Sequence, residues 1–284
     1  MSGNIFLLQG GSNLVTMKEA PYDSEALLQQ LLAQYPDLLA GDQIDSTEPR
    51  RWLLICREMA VPSEEDGGGR WSLDHLFLDQ DGIQTLVEVK RSSDSRIRRE
   101  VVGQMLDYAA NGVVYWPVED IRNQFQKTCE TSGTNPDATL VDFLGANFQA
   151  GEFWNRVKTN LQAGRIRMVF VADEIPAELR RIVEFLNEQM DPAQVLAVEI
   201  KQFVGEGLKT LVPRVIGQTA EAERRKQVTS REERQWDEIS FLDALKEKKD
   251  RTKRELPGRS LIGLKSSLCE FGGAGAARTA PSFQ

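Results

Sequence analysis

An acid and a base share one apolar segment of this chain, TLVEVKRSS at residues 85–93. Alternate residues of a β-strand lie on the same face, so Glu88 and Lys90 are predicted to point the same way. Burying a charge without a partner is costly, and a bare ion pair roughly breaks even against its desolvation. A site that needs both charges is the favoured interpretation, and a surface salt bridge is the alternative.

A second carboxylate is expected beside this pair. Asp74 lies in the first half of the preceding apolar segment, WSLDHLFLD, and a three-residue loop at 80–82 would place it across from Glu88 on one face. Gly82 suits the left-handed position of such a loop. Two neighbouring carboxylates repel each other and favour a hard divalent cation, Mg²⁺ or Mn²⁺. Lys90 would then orient a water molecule or stabilise developing negative charge.

The surrounding pattern predicts an α/β fold that positions these groups. A helix with Ser24 or Asp23 as its N-cap precedes the hairpin, and a βαβ unit follows it. Pro213 marks an edge strand, because proline cannot donate to a β-ladder. Residues 117–164 are expected to be irregular, apart from a helix around EFWNRVKTNL. The expected helices are 24–35, 96–111 and 176–190, and the expected strands are 51–59, 71–79, 83–91, 165–173, 195–203 and 208–216.

The combination of Asp74, the Glu88-Val89-Lys90 triplet and a following helix with Gln104 and Tyr108 resembles the PD-(D/E)XK nuclease superfamily. The Q-x-x-x-Y spacing on that helix is similar to the RecB-like branch. The resemblance covers residues 20 to 216, with SLD in place of the proline-aspartate of the family name. It implies a restriction-endonuclease-like mixed sheet flanked by helices, and Mg²⁺-dependent cleavage of phosphodiester bonds.

The resemblance also implies roles for individual residues. Asp74 and Glu88 would be metal ligands, Glu25 a further acidic group, and Lys90 the residue at the attacking water. Glu25 also lies in the first turn of its helix, where an acid favours the dipole without any site role. Gln104 and Tyr108 would support the site, or simply fill the core. The family includes inactive relatives, so a non-catalytic nucleic-acid-binding module is the alternative function.

Two further features are interpreted as structural. VEIK at 198–201 repeats the E-x-K pattern with Glu199 and Lys201, but its neighbours alternate like a half-exposed strand. It also lacks an acid-bearing hairpin before it. His75 lies on the face opposite Asp74 if the strand is regular, so it is expected to be a structural histidine.

Basic residues after the E-x-K strand indicate which kind of molecule this protein binds. Arg91, Arg96, Arg98 and Arg99 lie close to Lys90 in sequence and flank the start of a helix, where anions bind favourably. We therefore expect a nucleic-acid groove, with DNA favoured over RNA, although a solvated helix face would show the same pattern. The sequence does not specify the oligomeric state, and a homodimer is one possibility.

Composition narrows the class of protein. The formal net charge of −8 argues against an indiscriminately basic surface, while three scattered cysteines and one histidine argue against a zinc site or a disulfide framework. The sequence lacks a membrane-length apolar run and a typical signal peptide, so a cytoplasmic location is expected. We expect a nuclease-like domain at 1–217 and a charged helical segment with a disordered tail at 218–284. A scaffold acting through that segment is the third alternative.

Overall fold

The computed structural model describes residues 3–61, 71–93, 100–145, 149–219 and residue 222. Within them, an eight-stranded mixed sheet is flanked by helices, as predicted for the coarse fold class. The elements are, in chain order, β1 (Ile5–Gln9), β2 (Asn13–Glu19), α1 (Glu25–Gln34), a 3₁₀ turn (Pro36–Leu39), α2 (Gly41–Ile44), β3 (Leu53–Val61), β4 (Trp71–Leu78), β5 (Gln84–Val89), α3 (Glu100–Tyr115), α4 (Val118–Ser132), α5 (Pro136–Leu144), α6 (Ala150–Gln162), β6 (Ile166–Ala172), α7 (Ala177–Gln189), β7 (Gln194–Gly205) and β8 (Leu208–Ile216).

The sheet has the order β1-β2-β7-β6-β5-β4-β3, and β8 pairs with the remaining edge of β7. Strands β5, β6 and β7 are parallel, which confirms the predicted βαβ unit β6-α7-β7, and the other pairings are antiparallel. Every residue of β5 and β6 is buried, as expected for parallel strands covered on both faces. The site strand therefore lies in the middle of the sheet, shielded from water.

Strand alternation divides the core into two layers. On one face, Leu86 and Met168 join a large cluster with the helices α3, α4, α6 and α7. On the other face, Val87 and Val169 pack with residues of α1, including Leu28. Beyond the ends of the strands, side chains from the two layers can contact each other.

The prediction that residues 117–164 are irregular is wrong, because α4, α5 and α6 occupy most of this segment. Ile121, Phe125 and Cys129 recur every four residues and are buried, which is a helical period in an otherwise polar sequence. The turn-forming residues in TSGTNPD only separate two helices. Gly133 ends α4 in the left-handed conformation, and the Asn135 side chain caps α5.

Two strands were not predicted, and one edge was predicted correctly. The β1–β2 hairpin adds to the sheet through Lys18 and Glu19, which pair with β7. Strand β8, which contains Pro213, pairs only with β7 among the described strands. Its open edge is covered in part by Gln43, whose side chain bonds to the Pro213 carbonyl and the Val215 amide.

Most of the predicted C-terminal segment lies outside the described residues. Three residues beyond position 217 are described, and they contact the core. Gln218 donates to the Ile44 carbonyl, Thr219 donates to Glu188, and Ala222 is buried. In the part of the chain that is described, no helix is long and apolar enough to span a lipid bilayer.

Candidate active site

The β4–β5 hairpin has the register that the sequence predicted. His75 pairs with Val87, and Leu76 pairs with Leu86, which sets Asp74 one step further along, beside Glu88. The three residues 80–82 form the loop, and Gly82 has a φ of 78°. The Asp79 carboxylate stabilises this loop by accepting from the amide of Ile83 at 2.9 Å.

Asp74, Glu88 and Lys90 are brought together at the open end of this hairpin. The Val89 amide donates to Asp74 Oδ2 at 2.8 Å, so the carboxylate is held against the neighbouring strand. Lys90 Nζ lies 3.1 Å from Glu88 Oε1 and 3.8 Å from Asp74 Oδ2. It also donates to the Val89 carbonyl at 2.9 Å. Both acids thus lie within 4 Å of one ammonium group.

Helix α1 brings a third carboxylate from the other layer. The Ser24 hydroxyl accepts from the Leu27 amide at 3.1 Å, which fixes the start of the helix and places Glu25 in its first turn. Glu25 Oε1 lies 3.3 Å from Lys90 Nζ. Lys90 therefore contacts all three predicted acidic residues.

Gln29, one helical turn after Glu25, was not singled out from the sequence. Its side-chain amide hydrogen-bonds to Asp74, and its carbonyl accepts from His75 Nε2 at 2.8 Å. His75 is fully buried on the opposite face, and burial lowers its pKa to about 4, which agrees with a structural role. The spacing of Glu25 and Gln29, four residues apart on one helix face, is the signal that could have identified this contact.

Gln104 and Tyr108 lie behind the carboxylates on α3. The Gln104 amide donates to the Tyr108 hydroxyl, which in turn donates to the Ser72 carbonyl at 3.0 Å. Burial, followed by the charges of Glu88 and Asp74, raises the pKa of Tyr108 to about 12. These two residues connect α3 to β4 two residues before Asp74, so they hold the strand that carries the carboxylate.

The electrostatics of the site follow from burial and crowding. Glu88 is 2% exposed, and burial together with the charge of Asp74 raises its pKa to about 7. Burial raises the pKa of Asp74 as well, against the opposing effect of Lys90. For Lys90, burial alone would lower the pKa, but Glu88 and Asp74 outweigh it and raise the pKa. Lys90 is therefore a cation at neutral pH.

The donor chemistry of the site suits a hard divalent cation. Asp74 and Glu88 offer carboxylate oxygens, and Glu88 Oε2 is buried without a hydrogen-bond partner among the described residues. The arrangement does not form a ready cage, since no group of three or more acidic, histidine or cysteine side chains in the described ranges is placed to hold a metal. The carboxylates surround Lys90 instead of one common point.

The second E-x-K pattern has a structural role, although the expected half-exposed alternation is wrong. Residues from Val195 to Ile200 are all buried, because β6 and β8 flank β7 and helices cover it. Glu199 Oε2 accepts from the Ile175 amide at 3.0 Å, and Lys201 pairs with Glu19 at 3.0 Å. These contacts satisfy both groups within the fold.

A cleft of about 320 Å³ lies beside this second pattern. Its charged lining residues are Glu19, Asp173, Glu174 and Lys201, so acids outnumber bases. Ser92, two residues after Lys90, also lines the cleft and donates its amide to Asp173 at 2.7 Å. An excess of carboxylates disfavours a phosphate here.

Of the predicted nucleic-acid-binding residues, only Arg91 lies within the described part of the chain. Its Nε atom is buried and has no hydrogen-bond partner among the described residues. Arg96, Arg98 and Arg99 lie outside that part. The proposed groove therefore stays a prediction.

No family model matches this chain, and no match was found among curated proteins or among solved structures.

Proposed function

We propose that this protein is a metal-dependent nuclease with a restriction-endonuclease-like fold. In this proposal it hydrolyses phosphodiester bonds in nucleic acid, preferentially DNA, and acts as an endonuclease. The observation that supports this best is the convergence of Asp74, Glu88 and Glu25 on Lys90. Three acids and one base at the open end of a buried hairpin are costly for stability, and phosphodiester chemistry explains their presence.

Asp74 and Glu88 are the residues proposed to hold Mg²⁺ or Mn²⁺, with Glu25 as a further acidic group. A cation held there would supply Lewis-acid activation of the phosphate and neutralise its charge. The proposal is supported by Glu88 Oε2, which has no hydrogen-bond partner in the described part of the chain, and by the raised pKa values of both acids. Burial and mutual repulsion raise these pKa values, and a cation would offset both effects.

Lys90 is proposed to act through its charge. Its raised pKa keeps it protonated, so it cannot accept a proton from water at neutral pH. An ammonium group next to the scissile phosphate would orient the water and stabilise negative charge that develops on the phosphate oxygens. To do so, Lys90 must exchange part of its contact with the carboxylates for contact with the substrate.

The direction of substrate approach is inferred from charge. The cleft beside Glu19 and Asp173 is acidic and repels a phosphate chain. We therefore propose that the backbone approaches from the side of Arg91, which would give strongly salt-dependent binding.

The test is a cleavage panel with the full chain. Linear and circular duplex DNA, single-stranded DNA and RNA are each incubated with Mg²⁺, with Mn²⁺ and with EDTA. We expect cleavage of DNA that requires a divalent cation, is lost in Glu88→Gln and is retained in Lys201→Ala, the matched lysine of the second E-x-K pattern. Cleavage in EDTA, or equal activity of Glu88→Gln, would contradict the proposal.

A non-catalytic nucleic-acid-binding module is the second candidate. It is favoured by the position of Lys90, which neutralises the carboxylates directly and lies where they converge. This candidate predicts salt-dependent retention of DNA or RNA without cleavage under any metal condition, and no increase in melting temperature on addition of Mn²⁺. The cleavage panel and a thermal shift assay together distinguish the two candidates.

A further inference from the structure

The β1–β2 hairpin presents large apolar side chains to solvent. Phe6, Leu8 and Leu14 are 61%, 59% and 60% exposed, respectively. Leu8 pairs directly with Leu14, and Phe6 lies two residues before Leu8, so these three side chains share one face of the hairpin. The opposite face is anchored, because Val15 and Met17 are buried against Phe203.

The outer edge of β1 is also open. Among the described strands, β1 pairs only with β2, so its other edge carries backbone N–H and C=O groups without a strand partner. Its sequence, IFLLQ, contains no charged residue and no proline. Edge strands of monomeric proteins are usually protected by lysine, proline or a bulge, and β1 has none of these in its sequence or its pairing with β2.

We propose that β1 pairs antiparallel with β1 of a second copy of this chain, about a two-fold axis at Leu7. This register places Leu7 opposite its own copy, Phe6 opposite Leu8, and Ile5 opposite Gln9. All five residues of the strand are then paired, and each copy offers the same surface, as a two-fold interface requires.

The apolar faces make a second copy the best-fitting partner. In this register Phe6 and Leu8 of one copy lie directly beside Leu8 and Phe6 of the other. The exposed patch of each hairpin therefore becomes continuous with its symmetry mate. On the other face, Ile5 packs against the small cluster around Val15, and the exposed Leu7 of each copy lies beside Leu7 of the other across the axis. The two sheets join into one, and the pairing is independent of the chemistry proposed for Asp74 and Glu88.

The first test measures the oligomeric state of the full chain. Sedimentation velocity over a range of concentrations is compared for the wild type, for the double variant Phe6→Lys/Leu8→Lys, and for Phe185→Lys. Phe185 is a matched control, because it is also 61% exposed but lies on α7. We expect a wild-type dimer that Phe185→Lys preserves and that the double variant weakens by about tenfold or more.

The second test measures the register. Leu7→Cys and Gln9→Cys are each made in a Cys269→Ser background, in which the remaining cysteines, Cys56 and Cys129, are buried. Across an antiparallel pair centred on Leu7, the two position-7 Cα atoms lie about 4.5–5.5 Å apart, within disulfide range. The two position-9 Cα atoms are separated by about 13 Å along the strands. We therefore expect a covalent dimer from Leu7→Cys and none from Gln9→Cys under mild oxidation.

Several outcomes would overturn the proposal. One is a wild-type chain that is monomeric at every concentration, whatever the reason that the hairpin stays unpaired. Others are a dimer unaffected by the double lysine variant, and cross-linking that is equal at positions 7 and 9. Circular dichroism and melting temperature of each variant confirm that it is folded, which is expected because the substituted side chains of Phe6 and Leu8 are exposed.

Discussion

At the scale of single residues, Lys90 is the centre of the site. It contacts Glu25, Asp74 and Glu88, and among the described residues it is the cation that forms ion pairs with all three. The proposed function gives different roles to the base and to the acids, and substitution can separate these roles.

Lys90→Ala is expected to reduce cleavage by about 10²–10³-fold while metal binding persists, because removing one electrostatic group from a transition state has an effect of that size. Asp74→Ala removes a proposed ligand and should instead weaken metal binding. Calorimetric titration of Mn²⁺ into both variants, alongside cleavage rates, measures the two effects.

Lys201→Ala is the control, since Lys201 pairs with Glu19 outside the site. If Lys90→Ala loses Mn²⁺ binding as severely as Asp74→Ala, or cleaves at the wild-type rate, this division of roles is wrong.

The stability of the metal-free protein should depend on the protonation of Glu88. Its pKa is raised from 4.5 to about 7 in the fold, so the folded chain holds this proton more tightly than the unfolded chain does. The free energy of unfolding should therefore fall as pH rises from about 4.5 through 7. Thermal denaturation in EDTA between pH 5 and pH 8 measures this fall.

Glu88→Gln should flatten most of that dependence, because the amide is neutral throughout. In the wild type, saturating Mn²⁺ should also reduce the fall in the free energy of unfolding with rising pH, since the cation favours the ionised carboxylate. An unchanged pH dependence in Glu88→Gln would show that other groups, such as Asp74, dominate.

At the scale of elements, the β4–β5 hairpin positions the site. Contacts fix this hairpin at both of its ends. At its open end Asp74 bonds to the Val89 amide. At its closed end Asp79 is fully buried and pairs with Arg167 of β6 at 3.1 Å. The loop at 80–82 is therefore tied to the centre of the sheet.

Gly82→Ala tests the closed end. Alanine at a φ of 78° is strained, and its Cβ would lie 3.1 Å from the backbone and side chain of Val157. We expect a loss of more than about 1 kcal/mol from the backbone term alone, with the crowding adding to it. Urea denaturation provides the measurement.

Gly133→Ala is the matched control, because Gly133 has a φ of 69° with nothing within 4 Å of the added Cβ. It should show only the backbone cost. Equal losses in the two variants would mean that the contact with α6 does not constrain the hairpin.

The E-x-K pair of strand β7, Glu199 and Lys201, should contribute to stability and not to cleavage. Glu199→Ala leaves the buried amide of Ile175 without its acceptor, which should cost about 1–3 kcal/mol of stability. Lys201→Ala breaks a partly exposed ion pair and should cost less than about 1 kcal/mol.

Neither substitution should impair cleavage by the folded protein at a temperature well below its melting point. Denaturation curves and cleavage rates are measured on the same preparations. Loss of activity in a well-folded Lys201→Ala protein would show that the wrong E-x-K pair has been assigned to catalysis.

At the scale of the whole molecule, the described residues belong to a compact unit that extends from Met1 to Ser230. The boundary predicted at Gly217 falls inside this unit. Thr219 bonds to Glu188, and Ala222 is buried.

A chain ending after Ser230 should therefore keep the melting temperature of the full chain. A chain ending after Gly217 should melt lower, because it loses these contacts. Differential scanning calorimetry of the two truncations provides the comparison. A large loss of stability on truncation after Ser230 would show that the remaining segment stabilises the core.

The sequence alone determined the features that depend on local periodicity. Alternation placed Glu88 and Lys90 on one face, and the loop at 80–82 fixed the register that brings Asp74 beside them. Asp23 and Ser24 similarly predicted where α1 begins, and the structure shows that Ser24 is the cap. Each of these follows from residues close together in the chain, where the backbone geometry of one element sets the outcome.

Only the tertiary structure decided which elements meet. It brought Glu25 and Gln29 of α1 to the hairpin, and it buried Glu199 by placing β7 between two other strands. It also attached the unpredicted β1–β2 hairpin to the far end of β7 and left its apolar face exposed. These outcomes depend on pairing between distant segments. A residue's own pattern does not specify them, because the same alternation suits a strand at the centre or at the edge of a sheet.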